Sequence, residues 1–241
     1  MYESNPFIVA DAPAAARAAF YRRTYGLVAA SLVAFGATLY GMFVSGVAQS
    51  VMNGLGSMLG SLGGWSMLLI MLAFWGGSTV AQSLAFNRVS RGSQYLGLGL
   101  YILLEALIFI PIIAYTAAVT KGNPGEILVP ACLITGVLAA GLTVTVFMSS
   151  TDFSFLRTAI VIASFCALGA IVVSMIAGWT LGAWFSIAMI VLMASVILYQ
   201  THEIKNTMET DQHVAAAFVL FSSFVTLLFY VIRLFLDRRD D

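Results

Sequence analysis

Charge is what this chain has least of. Only 9% of its 241 residues are Asp, Glu, Lys or Arg, while 61% are hydrophobic; an average soluble chain is about 25% charged and about 45 to 50% apolar. No water-soluble packing could hide that much apolar surface. The few charges divide into 11 basic and 11 acidic residues, so no strongly basic surface is present to attract nucleic acid. Cysteine is scarce as well. Cys132 and Cys166 both sit inside apolar segments, lack the spacing of a metal site, and read as small packing residues rather than a disulfide. A Gly-Xaa-Ser-Xaa-Gly elbow, a phosphate-cradling glycine loop and a set of metal or haem ligands are all missing, and His202-Glu203 is followed by Asn206 where a zinc protease needs histidine. Catalysis has no visible machinery, and no cofactor or metal is expected. Also absent are the polar-apolar alternation of a membrane strand and a repeat of fixed period. The first residues include Tyr2, Glu3, Asn5 and Pro6 without a charged head before a short apolar core, which reads as a mature polar tail rather than a signal peptide.

What remains is apolar length. Continuous runs occupy roughly Thr24 to Val47, Trp65 to Phe86, Tyr95 to Ala118, Ile127 to Met148, Phe155 to Ala177, Leu181 to Thr201 and Val214 to Leu236. A hydrocarbon core about 30 Å thick needs roughly 20 helical residues per crossing, so the pattern predicts an all-α integral membrane protein with seven crossings and no soluble domain. The expected organisation is a polar tail over 1–23, a membrane domain over 24–236 and a charged tail over 237–241. The uncharged, Gly- and Ser-rich stretch Gln49 to Gly64 reads as a connection. Short links elsewhere imply antiparallel neighbours, although Gly178 to Thr180 would also suit one long kinked element. Small residues at four-residue spacing, Ala30, Ala34, Thr38 and Cys166, Ala170, Ser174, Gly178, suggest close helix packing. Arg17, Arg22, Arg23, Arg88, Arg91, Arg157 and Lys205 fall at one end of the alternating crossings, against Lys121, Arg233, Arg238 and Arg239 at the other. That bias predicts a cytoplasmic N-terminus and an external C-terminus. A re-entrant seventh segment with a cytoplasmic basic tail is the alternative.

Glu105 stands out, a carboxylate about ten residues into the third run. A charge there costs about 2.5 to 3.5 kcal/mol on insertion scales, so the group needs a partner, a proton or a task. Pro111 frees the carbonyl of Leu107 one turn away; acid and carbonyl together would suit a cation or proton waypoint, and a neutral acid hydrogen-bonded to a neighbouring helix is the plainer alternative. On the last run Ser223, Thr226, Tyr230 and Arg233 share a face, and the sixth ends with Ser195, Tyr199 and His202, with Gln200 alongside. These stripes suggest either interhelical hydrogen bonds or a polar cavity. His202 and His213 bound a link of mixed charge that is either a solvated face or a pH-responsive element.

Four stretches together resemble the Bax inhibitor-1 (transmembrane Bax inhibitor motif) family, in particular its bacterial members. They are Gly97-Leu98-Gly99-Leu100-Tyr101-Ile102-Leu103-Leu104-Glu105-Ala106-Leu107, Val146-Phe147 leading into Thr151-Asp152-Phe153-Ser154-Phe155-Leu156, Ile197-Leu198-Tyr199-Gln200-Thr201, and Ala215-Ala216-Ala217-Phe218-Val219-Leu220-Phe221 running on to Ile232-Arg233-Leu234-Phe235. The resemblance implies a bacterial inner-membrane bundle of seven helices with the last one central. It also implies a pH-sensitive calcium leak, closed in relatives by two aspartates that share a proton. The matching positions here are Gln200 and Ser223. Two nearby carboxylates couple their titrations, whereas an amide and a hydroxyl only hydrogen-bond. The leading expectation is therefore a regulatory or interaction role, like relatives that restrain a membrane-anchored ATP-dependent protease. The alternative is a passive calcium or proton pathway.

Overall fold

A computed structural model describes residues 7–63, 65–149 and 151–240. Eight helices follow one another among the described residues: α1 Ala14–Val44, α2 Val47–Leu62, α3 Trp65–Ala85, α4 Arg91–Val119, α5 Gly125–Met148, α6 Leu156–Ala177, α7 Gly182–Asn206 and α8 His213–Asp240. Among the described residues the only strand-like pairing is an isolated bridge between Ile8 and Glu209. Seven helices, all but α2, are long and apolar enough to cross a membrane.

The Gln49 to Gly64 connection is a correction: almost all of it is α2, 16 residues long. At 1.5 Å per residue α2 spans about 24 Å, short of a bilayer core. Its Gly and Ser content conceals a repeat of Ala48, Val51, Met52, Leu55, Met58, Leu59 and Leu62, which gives one apolar face at helical spacing. Through that face Val51 and Met52 join the core, and α2 lies on α1, α3 and α4. Helix α1 also begins ten residues before the expected Thr24, directly after Pro13, whose fixed φ suits a helix start. Before it, the Val9 amide donates to the Met208 carbonyl at 2.9 Å and the Thr210 amide to the Phe7 carbonyl at 2.9 Å, so residues 7–12 are tied to the α7–α8 link. Helices α6 and α7 are separate rather than one kinked element. Gly178 adopts φ 70°, and the Trp179 amide closes the end of α6 by donating to the Ser174 carbonyl at 3.0 Å.

Helix α8 is the axis of the bundle. Its membrane window is 67% buried, against 44% for α4 and 6% each for α3 and α6. It packs on α7, α1, α5, α4 and α3, while α6 leans on α7. Ala215, Ala216 and Ala217 are all buried near its start, and such small side chains let backbones approach where lipid supplies no hydrophobic drive. The small-residue rows expected on α1 and α6 do less: Ala30, Ala34, Cys166 and Gly178 are exposed. Cys132 and Cys166 are free and exposed as well, not packed inside. Helices α3 and α4 cross closely at Gly97. A Cβ at Gly97 would lie 2.5 Å from the Ala81 carbonyl oxygen and 2.5 Å from the Ala85 nitrogen.

Candidate functional site

The interhelical space between α3, α4, α6 and α8 is a cavity of about 920 Å³. It reaches from Glu105, half-way along α4, to the end of the bundle where α6 turns into α7 at Trp179 to Ala183. Thr226, Tyr230, Arg233 and Asp237 line it from α8. Their spacing of 4, 3 and 4 residues keeps them on one helix face. Apolar walls come from Ile70, Phe74 and Phe229, so a few polar groups sit against greasy surfaces. Glu105 is 5% exposed, and the Tyr101 side chain one turn earlier is within hydrogen-bonding reach of it.

The mouth has its own ties. Ser186 Oγ donates to Asp237 Oδ2 at 2.7 Å, and Arg233 Nε lies 3.9 Å from the same carboxylate oxygen. The Arg233 guanidinium stands 5.7 Å from the centre of the Phe185 ring, a cation-π arrangement that leaves the charge at the rim. The cavity thus holds two carboxylates and one fixed cation. Leu107, whose carbonyl Pro111 was expected to free beside Glu105, is not on the cavity wall among the described residues.

Below Glu105 the bundle closes. The Tyr101 hydroxyl and Ser222 Oγ are 2.7 Å apart, bridging α4 to α8. Ser223 Oγ donates to Gln200 Oε1 at 2.6 Å, bridging α8 to α7. Phe218 and Phe221 pack round Tyr101, and Phe35 lies against Phe221 and Phe109. Deeper still, the hydroxyls of Tyr25 on α1, Thr143 on α5 and Thr201 on α7 are buried without a close hydrogen-bond partner among the described residues, with Tyr25 next to both threonines. A polar seam therefore continues past the constriction toward the end that carries residues 7–12.

Of the residues singled out by sequence, Glu105, Thr226, Tyr230 and Arg233 meet at the cavity, and Gln200 and Ser223 meet each other. Ser195 instead donates to the Val191 carbonyl of its own helix at 3.0 Å. Tyr199 lines none of the three main cavities. The two histidines separate. His202 Nε2 is 3.3 Å from Asp152 Oδ1 and its ring packs on Phe153, whereas His213 lines a different cavity with Arg23 and Arg91. Sequence reasoning missed Asp237, Ser186, Tyr101 and Ser222. For Asp237 a signal existed, since it stands four residues after Arg233 and therefore on the same face. For Tyr101 and Ser222, 121 residues apart, no local pattern announces the contact.

No match is found among curated proteins. A family model described as inhibitor of apoptosis-promoting Bax1 matches residues 17–240, nearly the whole chain. With seven candidate membrane spans of which the last is the most buried, the protein belongs to the Bax inhibitor-1 family.

Proposed function

We propose that this multi-pass membrane protein is a passive cation pathway, conducting calcium or protons, caught with its inner constriction closed. The observation that carries the reading is the cavity of about 920 Å³ that runs from the bundle end to a buried carboxylate, Glu105. An acid at that depth is costly unless it has work to do. A pocket floored by Glu105, with Asp237 at its mouth, concentrates cations against low-dielectric walls. Tyr101 with Ser222, and Ser223 with Gln200, form the closed segment, and the Tyr25, Thr143 and Thr201 hydroxyls offer a polar continuation beyond it. A cavity with a buried acid at its floor favours the conduit over the interaction role. The test is reconstitution into dye-loaded vesicles. Calcium or proton flux above that of protein-free vesicles, reduced about tenfold by Glu105→Gln, is expected; flux unchanged by that substitution would remove Glu105 from the path.

One observation favours a second reading, a regulator of a membrane-anchored ATP-dependent protease in a bacterial inner membrane. The lock at Gln200 and Ser223 is neutral, so it lacks the shared proton by which a carboxylate pair opens and closes. A bundle permanently shut there would act through its surfaces. Wild-type vesicles without flux, together with repeated co-purification of one such protease from detergent extracts, would favour this role over the conduit.

A further inference from the structure

At the opposite end of the bundle from the Glu105 cavity, α1, α4 and the start of α8 flank a second, open cavity of about 560 Å³. Its polar lining is Arg23, Arg91, His213 and the phenol of Tyr95; its apolar lining is Gly26, Leu27 and Ala30. Arg91 is held in place, because Nη1 donates to the Asp211 carbonyl at 2.8 Å and lies 3.4 Å from His213 Nδ1. Both guanidiniums act electrostatically on the His213 ring, as does the Asp211 carboxylate from outside the cavity. Among the described residues neither Arg23 nor Arg91 forms an ion pair with a carboxylate. Two cations thus face one concavity, Arg91 held by these contacts and Arg23 exposed, and no carboxylate among the described residues stands on its lining.

We infer that this cavity binds the phosphodiester headgroup of an anionic phospholipid in the leaflet on the side of residues 7–12. Guanidinium forks match phosphate oxygens in pairs, and basic pockets between membrane helices at the interface suit such headgroups. The cavity supplies both halves of a lipid site. Arg23 and Arg91 stand where their apolar helices emerge, and Tyr95 is exposed at the same level, a position aromatic phenols favour. Below them Gly26 and Ala30, one turn apart, leave a smooth channel along α1. A Cβ at Gly26 would meet nothing within 4 Å, which is room for the first carbons of an acyl chain. The site ties the leaflet to α8 through His213 and to α4 through Arg91. It stands independently of whether the central cavity conducts.

Native mass spectrometry of the full chain released from detergent tests this, with phosphatidylglycerol, phosphatidylcholine and inorganic phosphate offered separately. Retention of phosphatidylglycerol several-fold above phosphatidylcholine is expected. Arg23→Gln should lower it about fivefold, the ratio one basic residue contributes at an anionic surface. Gly26→Leu, which fills the channel without a clash, should lower lipid retention while leaving thermal stability unchanged. Retention of inorganic phosphate alone, lost in Arg23→Gln but kept in Gly26→Leu, would overturn the lipid and leave a site for a free anion. Equal retention of the two lipids, or retention indifferent to Arg23→Gln in a folded protein, would overturn the site altogether.

Discussion

The two ends of this bundle are built differently. At the end carrying residues 7–12, the links are tied to one another or to a helix: residues 7–9 to 208–210 through the backbone, Arg88 to Glu209 at 3.1 Å, Arg91 to the Asp211 carbonyl, and Asp152 to His202 of α7. At the other end Arg239 and Glu126, 3.1 Å apart, link α8 to α5 and Ser186 bonds Asp237 across α7 and α8, but a large cavity opens beside them. Between them the Tyr101 to Ser222 and Ser223 to Gln200 hydrogen bonds mark where open changes to closed. The contrast suggests a rigid base and an adaptable mouth. A conduit of this form would be gated at the middle, where two neutral hydrogen bonds sit among packed aromatic rings, rather than at either surface.

The closed half is most severely tested at Gly97. Ala81 and Ala85 are fully buried against it, and the two atoms that a Cβ would meet most closely are backbone, which cannot rotate aside. Gly97→Val should therefore destabilise the α3–α4 crossing by about 3 kcal/mol, the upper part of the range for overpacking, and lower the Tm measured in detergent. Gly99→Val, at a position where a Cβ meets nothing within 4 Å, is the control and should change Tm little. Equal Tm for the two variants would show that the close approach is not what holds these helices.

The open half is tested at Asp237. Asp237→Asn leaves Arg233 without its carboxylate and weakens the Ser186 bond, so an uncompensated cation would stand in the mouth. Cation flux in vesicles should fall about tenfold, equivalent to about 1.4 kcal/mol on the barrier. Asp237→Glu should restore much of it. Loss of flux in both would point to geometry rather than charge.

How far the sequence anticipates this arrangement depends on the length scale of each signal. The seven spans are legible because a run such as Arg91–Val119 with its single Glu105 is written in consecutive residues. Helix α2 is not, because Gly54, Gly56 and Gly60 interrupt the apolar pattern and the packing on α1, α3 and α4 that sustains it lies outside the segment. Polar stripes on α8 indicate which side chains share a face, but not that Ser223 turns to α7 while Thr226 and Tyr230 turn to the cavity. Composition marks helix ends poorly, so it does not indicate that α8 carries Asp237 on the face of Arg233.

A smaller effect is expected at the middle of the molecule. Ser223→Ala removes the donor to Gln200 Oε1. A single hydrogen bond contributes about 1 kcal/mol net, so the closed state should lose roughly fivefold of its advantage over an open one. Flux should rise by up to that factor with little change in Tm. Replacing both positions, Gln200→Asp with Ser223→Asp, should give flux a pH dependence different from that of the native protein, since two adjacent carboxylates share a proton. A double variant with the native pH profile would dissociate this pair from gating.

The smallest effect is expected at the base, and it carries a sign. Hydrogen bonds from the Ser154 side chain and amide, with a lesser contribution from His202, hold the Asp152 carboxyl below its ordinary range. A carboxyl lowered on folding stabilises the folded loop above its unfolded value and ceases to do so as pH falls through the folded one. Protection of residues 151–155 in hydrogen exchange, corrected for the intrinsic pH dependence of exchange, should thus be constant near neutrality and lost only in acid, below the usual carboxylate range of about 4. Asp152→Asn should lose part of that protection at neutral pH. Because Asp152 is largely exposed, Tm should move by no more than about 2 °C. A Tm shift several times larger would mean that the tied end is one cooperative unit, so that loosening a single link loosens the base; a loss of protection confined to residues 151–155 would mean that each tie acts alone.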